Sequence, residues 1–237
     1  TNYGSDDGWW LDVHRVHKGS FTVLSTPFSM LVVSNSVCLN DGDLTGKLFI
    51  SSGLGGMSGA QGKAAEIAKA VAIVAEVDRS RIETRHSQGW ISQVTDSAEE
   101  AVKLAQAALE AGESTSIAYH GNIVDLLEYV NEHQVHVHLL SDQTSCHNVY
   151  DGGYCPVGDH ALKNGHVCWQ KTKKPSIAWS MKTLARHFAV IKALTAKGTY
   201  FFDYGNAFIE NLFTTQASRK FLRMDWMTRT ASFGHLM

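Results

Sequence analysis

The amino-acid sequence predicts a doubly wound α/β domain, a parallel sheet with helices on both faces. Between about residues 44 and 210, short apolar runs alternate with longer segments of helical period. Within this range VAIVAEV (71–77) is apolar at every position except Glu76, as in strands buried on both faces. Strands that alternate with helices in this way form βαβ units and parallel sheets. The flanking segments, 1–43 and 211–237, have weak periodicity and are expected to be irregular.

The elements of the predicted domain follow in a regular order. Four helices are expected, over about 60–70, 98–112, 123–133 and 177–197. The helix over 98–112 begins after a capping box at Ser97 and Glu100 and ends at Gly112. Asn122 caps the helix over 123–133. Five strands are predicted, namely KLFISS (47–52), VAIVAEV (71–77), STSIAY (114–119), VHVHLL (135–140) and TYFFDYGN (199–206) with its exit loop. This order predicts the parallel sheet directly.

The composition narrows the class of protein. The chain has 237 residues, of which 44% are apolar and 19% charged, as in soluble globular proteins. A net charge of −2 gives no basis for binding nucleic acid or an acidic membrane surface. No apolar run is long enough for a membrane span, and the N-terminal residues lack the layout of a secretory signal. Four cysteines in a chain of this size favour a reduced, cytoplasmic protein.

A glycine-rich stretch follows the first predicted strand. In SSGLGGMSGAQ, Gly53 and Gly55 begin a G-x-G-x-x-G pattern whose third position is Ser58, with Gly56 and Gly59 beside it. The first glycine permits a tight turn, and the second lets the backbone approach a pyrophosphate. Because a strand precedes this stretch and a helix follows it, we predict a dinucleotide-binding loop. A glycine-rich turn in another kind of α/β protein is the alternative.

An acidic residue supports the dinucleotide interpretation. Glu76 ends the second predicted strand, where a carboxylate accepts hydrogen bonds from a ribose. A carboxylate at this place would repel a 2′-phosphate, so the sequence favours NAD over NADP. The predicted cofactor is therefore NAD+.

Three polar loops are predicted at the same edge of the sheet. SDQTSCHN (141–148), DGGYCPVGD (151–159) and the residues from Asp203 to Asn206 follow apolar strands or lie next to them. Ligands of open α/β sheets collect at the carboxyl ends of strands, so these loops and the glycine loop predict one cleft.

Two other interpretations, a Cys146/His147 nucleophile pair and a metal site at His133, His136 and His138, are less favoured. No metal site is predicted.

Six motifs together resemble the urocanase (urocanate hydratase) family. They are SSGLGGMSGAQ, VAIVAEVD, YHGN, SDQTSCHN, GGYCPVG and FDYGN, which occur in the family's order and at similar spacing. The resemblance implies a Rossmann-like NAD-binding domain over 44–210, within a cytoplasmic, homodimeric enzyme of histidine degradation. It further implies a lyase that adds water to urocanate to give imidazolonepropionate, with tightly bound NAD+ as an electrophile.

The resemblance also implies a set of cofactor-binding residues, and no catalytic residue is assigned. The set comprises Gly53, Gly55, Gly56, Met57, Ser58, Glu76, Arg81, Asn122, Ile123, Gln143, Thr144, Ser145, Cys146, His147, Tyr154, Cys155 and Tyr204. Two other functions stay open: an NAD-dependent dehydrogenase, and a non-catalytic NAD-binding fragment of a urocanase relative.

Overall fold

A computed structural model of the protein describes residues 44–56, 58–142, 154–157 and 177–203, and the account below concerns these residues. Strands and helices alternate along them. The strands are β1 (Leu48–Ser52), β2 (Val71–Glu76), β3 (Gln93–Thr95), β4 (Thr115–His120), β5 (Leu139–Asp142) and β6 (Tyr200–Asp203). The helices are α1 (Gln61–Ile67), α2 (Arg79–Ser87), α3 (Ala98–Ala111), α4 (Ile123–Glu132) and α5 (Ile177–Ala196).

The strands form one parallel sheet in the order β3-β4-β2-β1-β5-β6, which confirms the predicted fold class. The prediction of five strands was wrong, because it missed β3 and also the helix α2 that precedes it. Strand β3 has only three residues at one edge of the described sheet, and α2 buries only Ile82. Neither element therefore carries an apolar periodicity. The strand predicted over 135–140 begins instead at Leu139.

The core lies on both faces of the sheet because successive strand residues point to opposite sides. Along β1, Leu48 and Ile50 join the larger apolar cluster, which also contains residues of α3, α4 and α5. Phe49, between them, packs on the other face with Ala65 of α1. Every residue of β1, β2 and β5 is buried, as the continuous apolar runs of the first two predict.

The predicted helix boundaries are set by side-chain and glycine caps. The Ser97 hydroxyl accepts from the Glu100 amide at 3.3 Å, and the Asn122 side chain accepts from the Val124 amide at 2.9 Å. Gly112 ends α3 in the left-handed region at a φ of 68°. Ser97, Asn122 and Gly112 are therefore helix caps, as the sequence predicts.

Helix α1 lies unusually close to the sheet at Gly62. A Cβ on this residue would be 2.4 Å from Cδ1 of Ile91 and 3.0 Å from Cβ of Ser116. A glycine for close helix–strand packing is the third role in a dinucleotide fingerprint. Here the role falls to Gly62, inside the helix, and not to position 58. None of the helices among the described residues is long and apolar enough to cross a membrane.

Candidate functional site

The sheet changes winding direction beside β1. Strand β1 pairs with its successor β2 on one side and with β5, which follows later in the chain, on the other. Such a switch point opens a crevice in which doubly wound domains bind their ligands. The residues between β1 and α1, 53–60, begin at this crevice, and we call them the glycine loop.

The backbone of the glycine loop turns sharply where β1 ends. Gly53 has a φ of 88°, which favours glycine, and its amide donates to the Ala75 carbonyl at 2.7 Å. A Cβ on Gly56 would meet no atom within 4 Å, so open space lies beside this residue. The predicted tight turn is therefore present, with room next to it.

Ser58 occupies the third fingerprint position and is fully buried. Its hydroxyl has no hydrogen-bond partner among the residues that the structure describes. Burying a hydroxyl without a partner is unfavourable, so such a group points to a missing ligand atom. The oxygen of a bound pyrophosphate would satisfy it.

The Glu76 carboxylate, predicted from the sequence to bind a ribose, holds the backbone of the glycine loop. The Glu76 side chain is 4% exposed. Its Oε2 accepts from the Leu54 amide at 2.7 Å, and its Oε1 accepts from the Asp78 amide at 3.0 Å. Each carboxylate oxygen can accept a second hydrogen bond, so both retain capacity for a ligand hydroxyl.

Arginines from α2 lie around this carboxylate and the loop. Nη1 of Arg81 is 3.8 Å from Oε2 of Glu76, and Nε of Arg81 is 3.4 Å from the Asp78 carboxylate. Arg85, which the sequence reasoning missed, donates to two loop carbonyls. Burial and the charge of Arg81 lower the pKa of Arg85. No sequence pattern indicates the role of Arg85, because a charged residue on a polar helix is normally solvent-exposed.

Asn122 connects the carboxyl end of β4 to residues 154–157. While its side-chain oxygen caps α4, its Nδ2 donates to the Cys155 carbonyl at 2.8 Å. Tyr154 is buried in the larger apolar cluster together with Ile123, and Cys155 is half-buried. The structure thus brings the predicted residues Asn122, Cys155 and Tyr154 together at one edge of the sheet.

A buried polar group at the carboxyl end of β5 was also missed. The Ser52 hydroxyl donates to Oδ1 of Asp142 at 3.1 Å, and Oδ2 of Asp142 is 3.4 Å from Nε2 of His187 in α5. Asp142 is 1% exposed and His187 is 0% exposed. Burial lowers the pKa of His187, and the Asp142 charge opposes this effect. The group ties β1, β5 and α5 together at the carboxyl end of β5.

The remaining predicted site residues lie outside the described residues: Met57, Gln143, Thr144, Ser145, Cys146, His147 and Tyr204. The alternative Cys146/His147 pair lies there as well. Of the histidines weighed as metal ligands, His138 uses its Nδ1 to accept from the Leu48 amide at 3.1 Å. Within the described ranges, no group of three or more His, Cys, Asp or Glu residues could hold a metal ion.

These contacts suit a dinucleotide. The loop leaves open space at Gly56, buries a hydroxyl at Ser58 that lacks a partner among the described residues, and lies beside a carboxylate that can still accept hydrogen bonds. These groups are of the kinds that form hydrogen bonds with a pyrophosphate and an adjacent ribose.

Comparison with known proteins identifies the family. Residues 23–228 match the model of the urocanase Rossmann-like domain. The chain is 39% identical to urocanate hydratase of Mus musculus over 201 residues, which are 82% of this chain and 28% of that protein. It is 41% identical to urocanate hydratase of Homo sapiens over 175 residues, which are 70% of this chain and 25% of that protein.

A third relative gives the same result. The chain is 41% identical to a probable urocanate hydratase of Dictyostelium discoideum over 195 residues, or 82% of this chain and 28% of the relative. The chain thus spans about a quarter of the length of these curated relatives. Its motifs, its parallel sheet and these matches agree, and the chain belongs to the urocanase family, of which it carries the Rossmann-like domain.

Proposed function

We propose that this chain is the NAD+-binding portion of a urocanate hydratase. The observation that carries the proposal is the buried Ser58 hydroxyl, which has no partner among the described residues, in a glycine loop at the sheet's switch point. Membership of the urocanase family supports the proposal, since the relatives named above are urocanate hydratases.

In this proposal, different residues bind different parts of the dinucleotide. The Ser58 hydroxyl and the amides of Gly55 and Gly56 bind the pyrophosphate, and Gly53 gives the turn that brings them to it. Glu76 accepts from the ribose on the adenosine side, with Arg81 next to it at 3.8 Å. Asn122 and Ile123, at the start of α4, border the pocket together with Tyr154 and Cys155.

The full reaction is the addition of water to urocanate to give imidazolonepropionate, a step of histidine degradation. Bound NAD+ would supply an electrophilic nicotinamide for this addition. Gln143, Thr144, Ser145, Cys146, His147, Met57 and Tyr204 complete the cofactor pocket in this proposal. By the family resemblance we place the enzyme in the cytoplasm as a homodimer.

The test is to measure bound nucleotide and turnover on the same sample of purified chain. NAD+ released by denaturation is quantified by chromatography, and added NAD+ is titrated by calorimetry. The loss of urocanate absorbance is followed in parallel. Bound NAD+ with turnover supports a complete hydratase, and bound NAD+ without turnover supports a cofactor-binding portion.

Two results would contradict the proposal. If neither released nor added NAD+ is found on folded protein, the assignment of the glycine loop fails. If reduced nicotinamide accumulates during turnover of a substrate, the protein is a dehydrogenase and not a hydratase. Circular dichroism on the same sample establishes that the chain is folded.

A further inference from the structure

Arg85 of helix α2 forms hydrogen bonds to the backbone of the glycine loop. Its Nε donates to the Leu54 carbonyl at 3.0 Å, and its Nη2 donates to the Gly55 carbonyl at 2.8 Å. Nη1 donates to the Gln88 side chain at 2.8 Å, and Cζ lies 4.8 Å from the centre of the Trp90 ring. The planar guanidinium is therefore fixed in orientation by contacts on its edges and on its face.

The position of the Arg85 side chain explains why residue 59, which is not part of the G-x-G-x-x-G pattern, is a glycine. A Cβ on Gly59 would lie 2.3 Å from Nε of Arg85, 2.6 Å from its Cζ and 2.6 Å from the Gly55 carbonyl oxygen. No side chain fits at such distances. Gly59 thus leaves the space through which the arginine reaches the loop.

The two carbonyl contacts fix the direction of two amides. A trans peptide is planar, and its N–H points opposite to its C=O. Since the Leu54 and Gly55 carbonyls face Arg85, the amides of Gly55 and Gly56 point away from it. Successive amides on one side of a turn form a concave anion-binding surface. Leu54 is also held through the peptide before it, because the Leu54 amide donates to the Glu76 carboxylate at 2.7 Å.

We infer that Arg85 is a positioning residue for the cofactor: it holds two glycine-loop peptides so that the Gly55 and Gly56 amides face the pyrophosphate. The inference rests on the proposed NAD+ function. Glycine peptides rotate easily, and a rotated peptide would direct a carbonyl oxygen at the anion. Arg85 opposes this rotation without itself contacting the cofactor, at Leu54 by one hydrogen bond and at Gly55 together with the Gly59 amide, which donates to the same carbonyl at 2.9 Å.

The experiment compares Arg85→Gln and Arg85→Lys with a matched control, Arg186→Gln. Arg186 is also half-buried and, like Arg85, donates more than one hydrogen bond; its two go to Glu128, at 3.0 and 2.6 Å. Calorimetry gives the Kd for NAD+ and for ADP-ribose, which share the pyrophosphate, and thermal unfolding without ligand gives the stability of each variant. Only folded protein is titrated.

We expect Arg85→Gln to weaken NAD+ and ADP-ribose about tenfold or more and by similar factors, since about 1.4 kcal/mol corresponds to tenfold. Arg85→Lys restores one of the two carbonyl contacts and should be intermediate. Arg186→Gln should lower the unfolding temperature and leave both Kd values unchanged. A purely structural role for Arg85 would instead lower the unfolding temperature with unchanged Kd.

The outcomes separate this inference from the proposed function. If the wild-type chain binds neither ligand, the proposed function fails and the inference with it. If the wild type binds NAD+ and both Arg85 variants bind it equally well, only the positioning role is refuted. If Arg85→Gln does not fold, Arg85→Lys decides the question, because it keeps the charge and the aliphatic stem.

Discussion

We expect replacement of Glu76 to weaken the fold as well as cofactor binding. The side chain is 4% exposed and accepts from the Leu54 amide at 2.7 Å and from the Asp78 amide at 3.0 Å. Hydrogen bonds to a charged group contribute about 1.5–3 kcal/mol each, and a buried donor without a partner costs about 1–3 kcal/mol. Glu76→Gln keeps one acceptor oxygen and should lower the free energy of unfolding by about 2 kcal/mol. Glu76→Ala removes both acceptors and should lower it by about 3–4 kcal/mol.

Urea unfolding without ligand measures this effect. With a slope of about 1–3 kcal/mol per molar urea, a loss of 2 kcal/mol shifts the midpoint by about 1 M. The control is Glu83→Gln, since that carboxylate is 70% exposed and its partner Arg79 lies at 3.6 Å. Its removal should change the midpoint little. If Glu76→Gln unfolds at the wild-type urea concentration while NAD+ affinity falls, the carboxylate acts on the ligand alone and our reasoning is refuted.

Three further outcomes are expected. Gly62→Ala should lower stability by about 1–2 kcal/mol in urea, because a clash with Ile91 outweighs the gain in helix propensity; a higher midpoint would contradict this. For His138, burial lowers the pKa to about 4, and its Nδ1 accepts from Leu48 only when unprotonated. Stability relative to His138→Asn should therefore be full above about pH 6.5 and fall by about 2 kcal/mol towards pH 4; a flat difference would argue against it. Gly55→Val should abolish NAD+ binding measured by calorimetry with the fold retained, and normal binding would rule out this role for the loop.

Much of the fold could be predicted because its signals are local. The continuous apolar runs of β1 and β2 reflect burial on both faces, and the caps at Ser97 and Asn122 act within three residues of their own position. The short strand β3 and the polar helix α2 carry no such signal, since their positions are set by pairing with β4 and by contacts with the glycine loop.

The candidate site divides in the same way. The sequence by itself determined the glycine loop, the acidic residue that ends β2 and their order along the chain, because turns and buried strands follow from residue type and spacing. Only the tertiary structure decided that Glu76 holds the loop backbone, that Arg85 reaches it across Gly59, and that Asp142 meets His187. These polar contacts join residues distant in sequence. The sequence position of a charged or polar side chain does not indicate which distant residue it will contact. Its partner is determined only when packing brings the strands and helices together.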